Sequence, residues 1–273
     1  MYFSKICGKD RNKVGLLLSL QRIFIKIKKN SLELKTKNLM KMASVLAWGA
    51  VMPAQMNAQE SDGNWSLNAG LDVLSGYWWR GLHSADLSVA PNVSFDYEKE
   101  DWALSFGVWG TKSLSGDDYK EIDLFAEASW RNFTLSLSDY YDCRDFFPYN
   151  LGHSLDVGLS YTISEKFPLT LSWYSIVLGT TYEDVTDVPS YLELSYPFSI
   201  SVVDFNATVG FVPMESYYYA TEKAEFNQLG LSAGHEFELG SFTVPVAVQY
   251  NYNPALDDHF CGVSVGCYFS TGL

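Results

Sequence analysis

The feature that most constrains the fold of this chain is an alternation of apolar and polar residues with a period of two. From Trp65 to Val73 every second residue is apolar, and the residues between them are polar or glycine. The pattern returns from Leu87 to Tyr97 and from Ile122 to Trp130. Because successive side chains of a β-strand point to opposite faces, this alternation predicts strands with one apolar face and one polar face.

The alternation continues to the end of the chain and predicts about 12 strands, each near the 9–11 residues that a tilted strand needs to cross a bilayer. Short connections, such as Glu98–Asp101 and Arg131-Asn132, alternate with longer ones, such as Gly81–Asp86 and Gly179–Pro189. Bacterial outer-membrane barrels join their strands by short periplasmic turns and longer extracellular loops. The sequence therefore predicts an all-β protein, a closed antiparallel transmembrane β-barrel. Beyond Trp130 the predicted strands lie near 133–141, 153–163, 169–178, 190–197, 203–211, 226–236, 242–251 and 259–269.

A soluble β-sandwich also shows alternating strands and is the alternative fold. Two features weigh against it: acidic residues recur on the polar faces of the strands, and tryptophans stand at strand ends. Charged residues make up only 19% of the chain, aromatic residues make up 16%, and the mean hydropathy is −0.05. A barrel gives such an average because apolar residues that face lipid alternate with polar residues that face the lumen.

Charge is distributed unevenly along the chain. Residues 1–41 carry 11 of the 19 Lys and Arg residues. From Gln59 onward there are eight Lys and Arg against 30 Asp and Glu, a net charge of −22. A body this acidic repels phosphate groups, so nucleic acid is not expected as a partner.

The N-terminal segment has the features of an export signal. A basic stretch precedes an apolar run from Ala43 to Met52, and small residues lead to Ala58. This order is typical of a secretory signal peptide, and the run is shorter than the roughly 20 residues of a transmembrane helix. We therefore predict export to the bacterial outer membrane, with a leader and signal peptide at residues 1–58, a true start at Met40 or Met42, and the barrel at residues 59–273.

Aromatic residues stand near the ends of several predicted strands and keep the parity of the apolar faces. Because tryptophan settles at the headgroup level of a membrane, this placement predicts a girdle in contact with outer-membrane lipid. An aromatic residue near the end of the last strand also suits recognition by the barrel-assembly machinery. The predicted girdle residues are Trp65, Trp102, Trp130 and Phe269.

A short motif follows the first predicted strand. Residues Ser75 to Leu82 read Ser-Gly-Tyr-Trp-Trp-Arg-Gly-Leu, and similar pieces follow at Pro91–Tyr97, Gly107–Thr111 and Glu121–Ala126. This series resembles the TorF-like family of small outer-membrane porins, whose early-strand pattern is close to Ser-Asp-Tyr-x-x-Arg-Gly-Ile. The resemblance covers residues 70–130 and implies a porin-like barrel. The motif positions that match are Ser75, Tyr77, Arg80 and Gly81, whereas Gly76 departs from the family's Asp.

The polar faces of the predicted strands carry a set of acidic residues. They predict a lumen that is either filled with water and attracts cations or closed and merely hydrated. The leading hypothesis is a porin that passes small polar solutes and prefers cations. The alternatives are a non-conducting structural or adhesive barrel that acts through its extracellular loops, and an outer-membrane enzyme such as a lipid hydrolase or acyltransferase. The predicted lumen acids are Asp72, Asp96, Glu121, Asp123, Glu127, Asp156 and Glu193.

Nothing in the sequence predicts a catalytic, cofactor or metal site. The four His form no H-x-x-x-H or HExxH pattern, and no CxxC occurs. Cys261 and Cys267 lie on one predicted strand about 20 Å apart, since a strand rises about 3.3 Å per residue, so they cannot pair with each other. We therefore expect no cofactor, no enzymatic activity and no disulfide.

Overall fold

The structure is a computed structural model that describes residues 64–143, 152–179 and 188–273. The predicted leader, signal peptide and start site lie outside the described residues. Within the described residues no helix is long and apolar enough to cross a membrane. The strands, in chain order, are β1 (Asn64–Leu74), β2 (Tyr77–Trp79), β3 (Leu82–Ala85), β4 (Ser88–Lys99), β5 (Trp102–Ser113), β6 (Lys120–Trp130), β7 (Phe133–Tyr141), β8 (His153–Thr162), β9 (Thr170–Leu178), β10 (Ser190–Ile200), β11 (Val203–Val212), β12 (Glu225–Leu239), β13 (Phe242–Asn253) and β14 (Asp258–Gly272).

Twelve of the described strands, β1 and β4 to β14, form one closed antiparallel ring. Each strand of the ring pairs with its neighbours in the chain, and β1 closes it by pairing with both β4 and β14. The prediction of a closed transmembrane-type barrel of about 12 strands is confirmed. Closure satisfies the backbone hydrogen bonds without leaving a free sheet edge, which a lipid environment requires.

One end of the barrel carries short turns. The β4–β5, β6–β7, β10–β11 and β12–β13 connections contain two residues each. Each has a residue with positive φ, at Glu100, Arg131, Ser201 and Gly240 respectively. The first residue of β1 and the last residues of β14 lie at this same end, because β1 pairs antiparallel with both of its neighbours.

The two faces of the ring differ as the alternation requires. On the outer face large apolar side chains are exposed, as at Leu71, Leu124 and Val263. On the inner face the alternate residues are buried and mostly polar, as at Asn92 and Ser138. An apolar outside and a polar inside are the reverse of a soluble globular domain and match a barrel that faces lipid.

The segment between β1 and β4 differs from its predicted course. The sequence suggested that Gly81–Asp86 is a longer external connection, whereas β2 and β3 form a two-stranded hairpin inside the ring. Tyr77, Trp78 and Arg80 are each less than 7% exposed. The hairpin folds inward because its aromatic side chains find partners on the inner wall, as the next section describes.

Candidate functional site: the barrel lumen

The lumen is organised around the tip of the β2–β3 hairpin. Its connection consists of Arg80 and Gly81, with φ of 44° and 82°. Two central residues with positive φ are typical of a type I′ turn, which normally takes Asn or Gly. A large side chain such as Arg is rarely held in this conformation, so the surrounding contacts must stabilise it.

Arg80 makes those contacts with the wall on the far side of the barrel from β1. Its Nη1 and Nη2 donate to the two carboxylate oxygens of Asp156 on β8, at 3.3 and 2.6 Å. The guanidinium carbon lies 4.0 Å from the ring centroid of Tyr174 on β9. The side chains of Arg80 and Asp156 are 4% and 2% exposed, so this is a buried ion pair with two parallel hydrogen bonds.

The backbone of the tip is fixed as well. The Asn227 side-chain amide on β12 donates to the Arg80 carbonyl at 2.9 Å, and the Asn253 amide on β13 donates to the Gly81 carbonyl at 2.8 Å. A Cβ atom at Gly81 would lie 2.1 Å from the Asn227 carbonyl oxygen. Glycine is therefore required here both for its conformation and for the close approach of two backbones.

A second segment, the connection between β11 and β12, also enters the lumen. Tyr219 is fully buried, and its hydroxyl accepts a hydrogen bond from Arg80 Nη1 at 3.0 Å. Its ring stacks on Trp79, with centroids 5.8 Å apart. Burial raises the pKa of Tyr219 to about 12, so the hydroxyl is neutral at physiological pH.

The hairpin divides the space inside the barrel. Towards the longer connections lies a cavity of about 1040 Å³, which we call the vestibule. Beyond the hairpin lies a cavity of about 80 Å³, which we call the inner cavity; its lining mixes apolar side chains with polar ones such as Arg80, Glu193 and Gln228. Trp79 is the one described residue that lines both cavities.

The vestibule is acidic and aromatic. Tyrosines from the hairpin and from the loops form part of its wall, and His153 at the start of β8 pairs with Asp139 at 3.0 Å. Hydrogen bonds from Ser113 and from the Tyr119 backbone hold the pKa of Asp117 below its usual value. The described residues that line the vestibule include one lysine, Lys120, and six carboxylates, at Asp117, Asp118, Glu121, Asp142, Glu215 and Glu222.

The structure places the seven acids of the sequence prediction on the inner face but does not gather them into one cluster. Glu121 lines the vestibule, and Glu193 lines the inner cavity. Asp156 pairs with Arg80. Asp123 is 2% exposed. Asp72 accepts a hydrogen bond from Tyr268, and Asp96 accepts one from Ser105. Glu127 is half-buried and lies directly opposite Ser105 in the pairing of β5 with β6.

The predicted girdle residues lie on the outer face near the end with the short turns. Trp65, Trp102, Trp130 and Phe269 are each at least 40% exposed. Trp102 and Trp130 pair across neighbouring strands, with ring centroids 6.1 Å apart, and Phe269 contacts Phe242 at 6.2 Å. This placement is compatible with a headgroup-level belt.

The four family-motif residues belong to the hairpin and its root. Ser75 binds Val263 of β14 through both its backbone N–H and its side chain. Tyr77 packs on Trp109, and Arg80 and Gly81 form the tip. Sequence reasoning missed the partners of this motif on distant strands, such as Tyr219 and Asn227. The one signal for these partners in the sequence is the aromatic run Tyr77-Trp78-Trp79, which breaks the alternation of apolar and polar residues.

The described residues contain no group of three or more His, Cys, Asp or Glu side chains that could hold a metal ion. Cys143, Cys261 and Cys267 are free thiols, and the latter two are exposed on β14. These observations identify no catalytic centre among the described residues.

Comparison with known proteins gives neither a family nor a curated relative: no family model and no curated protein match the chain. Solved outer-membrane porins and channels are similar in structure. The NanC porin is 10% identical, with 74% of this chain and 98% of the other covered and a TM-score of 0.45. An outer-membrane channel from Pseudomonas putida F1 is 9% identical, with 81% and 100% covered and a TM-score of 0.43. A triple mutant of the Rhodopseudomonas blastica porin is 11% identical, with 77% and 99% covered and a TM-score of 0.31. These scores are too low to carry a functional conclusion to this chain, and membership of the TorF-like family stays a prediction.

Proposed function

We propose that this protein is an outer-membrane channel through which small polar solutes pass, with a preference for cations. The observation that carries the proposal is the vestibule, whose described lining includes six carboxylates and one lysine. A cleft lined by one sign of charge focuses the field and raises the local concentration of counter-ions. At ~0.15 M salt the Debye length is about 8 Å, so such a field acts over a space of this size and weakens as salt rises.

The test is the reversal potential of the purified full-length protein in a planar bilayer under a KCl gradient. The wild type is expected to favour K⁺. The double variant Glu121→Gln/Asp142→Asn removes two of the six vestibule carboxylates and should move the reversal potential towards zero. A matched control, Asp257→Asn/Asp258→Asn, removes two exposed acids at the same end of the barrel, the last residue of the β13–β14 connection and the first residue of β14, neither of which lines the vestibule. Anion preference, or equal effects of the two double variants, would contradict the proposal.

A specific observation favours a second candidate, a non-conducting barrel that acts through its loops. The β2–β3 hairpin crosses the lumen and contacts strands on opposite sides of the ring, β14 through Trp78 and β8 through Arg80. If this hairpin closes the lumen permanently, the folded protein will be silent in the bilayer. Channel openings by the wild type therefore distinguish the two candidates.

A further inference from the structure

The vestibule and the inner cavity meet at a single aromatic side chain. Trp79 lines both, and its ring is enclosed by three tyrosines. Tyr219 stacks on it at 5.8 Å with an interplanar angle of 17°. Tyr140 and Tyr218 meet it nearly edge-on, with centroid distances of 5.4 and 5.9 Å. Rings at these distances are in van der Waals contact, so no solute can pass between them in this arrangement.

The position of Trp79 is enforced from both ends of the hairpin. At the tip, the Arg80 guanidinium lies 4.6 Å from the Trp79 ring while it holds Asp156 on the opposite wall. At the root, Ser75 is bonded to Val263. Neighbouring Trp78 turns to the other side, where it stacks on Phe260 of β14 at 5.1 Å. The indole of Trp79 is thus held across the lumen by contacts to several strands.

We infer that Trp79, stacked on Tyr219 and held by Arg80, is the internal gate of this barrel and sets the largest solute that can pass from the vestibule to the inner cavity. The claim that Trp79 limits which solutes pass through the wild-type protein rests on the proposed channel function. The claim that this indole separates the two cavities also holds for a barrel that does not conduct. Opening the lumen requires the indole or the Tyr219 segment to move, because the surrounding strands form a closed ring.

The variants that test the gate form a graded series, Trp79→Phe, Trp79→Leu and Trp79→Ala. Each step removes more of the side chain that separates the two cavities. The matched control is Trp173→Leu, because Trp173 lies on the outer face of β9, is 45% exposed and lines neither cavity. Folding of every variant is checked by the heat-dependent shift of its gel mobility and by far-ultraviolet circular dichroism. If Trp79→Ala does not fold, the Phe and Leu variants, which keep more of the packing, carry the test.

Two measurements are made on the full-length protein: single-channel conductance in KCl, and entry of uncharged sugars of increasing size into proteoliposomes by the swelling assay. The gate predicts a several-fold rise in conductance in the order Phe, Leu, Ala, and entry of sugars that the wild type excludes. Trp173→Leu should behave as the wild type does.

The outcomes separate the gate from the channel function. A silent wild type with a conducting Trp79→Ala variant supports the gate and contradicts the proposed function. A conducting wild type whose conductance and size limit are unchanged in folded Trp79 variants overturns the gate and leaves the function standing. The gate is also overturned if Trp173→Leu opens the lumen as much as Trp79→Leu does, or if every folded variant is silent.

Discussion

The buried ion pair between Arg80 and Asp156 gives the sharpest stability prediction. Replacing Arg80 with Met removes two charge-assisted hydrogen bonds to Asp156, one hydrogen bond to Tyr219 and the contact with the Tyr174 ring. It leaves the Asp156 carboxylate buried, with the Tyr140 hydroxyl at 3.2 Å as a remaining donor. Removing one partner of a buried ion pair lowers the free energy of unfolding by about 3–5 kcal/mol. Solvent screening does not reduce this cost, because both side chains are at most 4% exposed.

The expected loss has an upper limit set by the hairpin. If the hairpin can leave the wall while the ring stays closed, Arg80→Met cannot cost more than the free energy of hairpin docking. We therefore predict a destabilisation of about 3–5 kcal/mol if hairpin and ring unfold together, and a smaller one if the hairpin detaches first. The assay is urea unfolding in lipid vesicles of a protein whose outer-face tryptophans are replaced by Phe, so that the fluorescence of the described tryptophans that remain reports on the lumen, while gel mobility reports on the ring. The replaced residues are Trp65, Trp102, Trp130 and Trp173.

A double-mutant cycle tests whether Arg80 and Asp156 interact as they do in the structure. The second single variant is Asp156→Leu, and the double variant combines it with Arg80→Met. Replacing both charges by apolar groups of similar size removes the unpaired charge, so the double variant should be more stable than either single variant. If the two single costs simply add, Arg80 and Asp156 do not interact, and the reasoning from this geometry is refuted.

Three further predictions concern the ring, the tip and the topology. Leu124→Arg, at the middle of β6 on the exposed face, should lower the free energy of unfolding in refolding titrations by about 2–4 kcal/mol, whereas Ile200→Arg, beside a short turn, should lower it by about 0–1 kcal/mol. Equal losses would mean that the outer face does not cross the bilayer where we place it. Gly81→Ala should destabilise the hairpin by more than the ~1–2 kcal/mol of left-handed strain, while Gly116→Ala, with positive φ but open space around its Cβ, should show the strain alone. Trypsin added outside intact cells should cut after Lys223 in the β11–β12 connection and should not cut after Arg131 in the β6–β7 turn. Cleavage at Arg131 would show that the barrel has the opposite orientation in the membrane.

The sequence alone was sufficient for the ring and for the identity of its two faces. The parity of Leu71 and Leu124 against Asp72 and Asp123 was readable without any tertiary information. Successive side chains of a strand between lipid and a polar interior face the two environments in turn, so the sequence must alternate between apolar and polar residues. The local pattern therefore shows which face each residue is on. The strand count followed because each crossing of the bilayer needs a similar number of residues.

The contents of the lumen were decided by the tertiary structure. The segment from Ser75 to Leu82 breaks the alternation, and nothing in its local pattern shows whether it turns outward or inward. The contacts that turn it inward join Arg80 to Asp156, 76 residues away, and to Asn227, 147 residues away. Such contacts depend on which side chains the closed ring brings opposite one another, and closure is a property of the whole chain. The sequence therefore predicted acids on the inner face, but only the folded ring shows that one of them anchors a hairpin across the lumen.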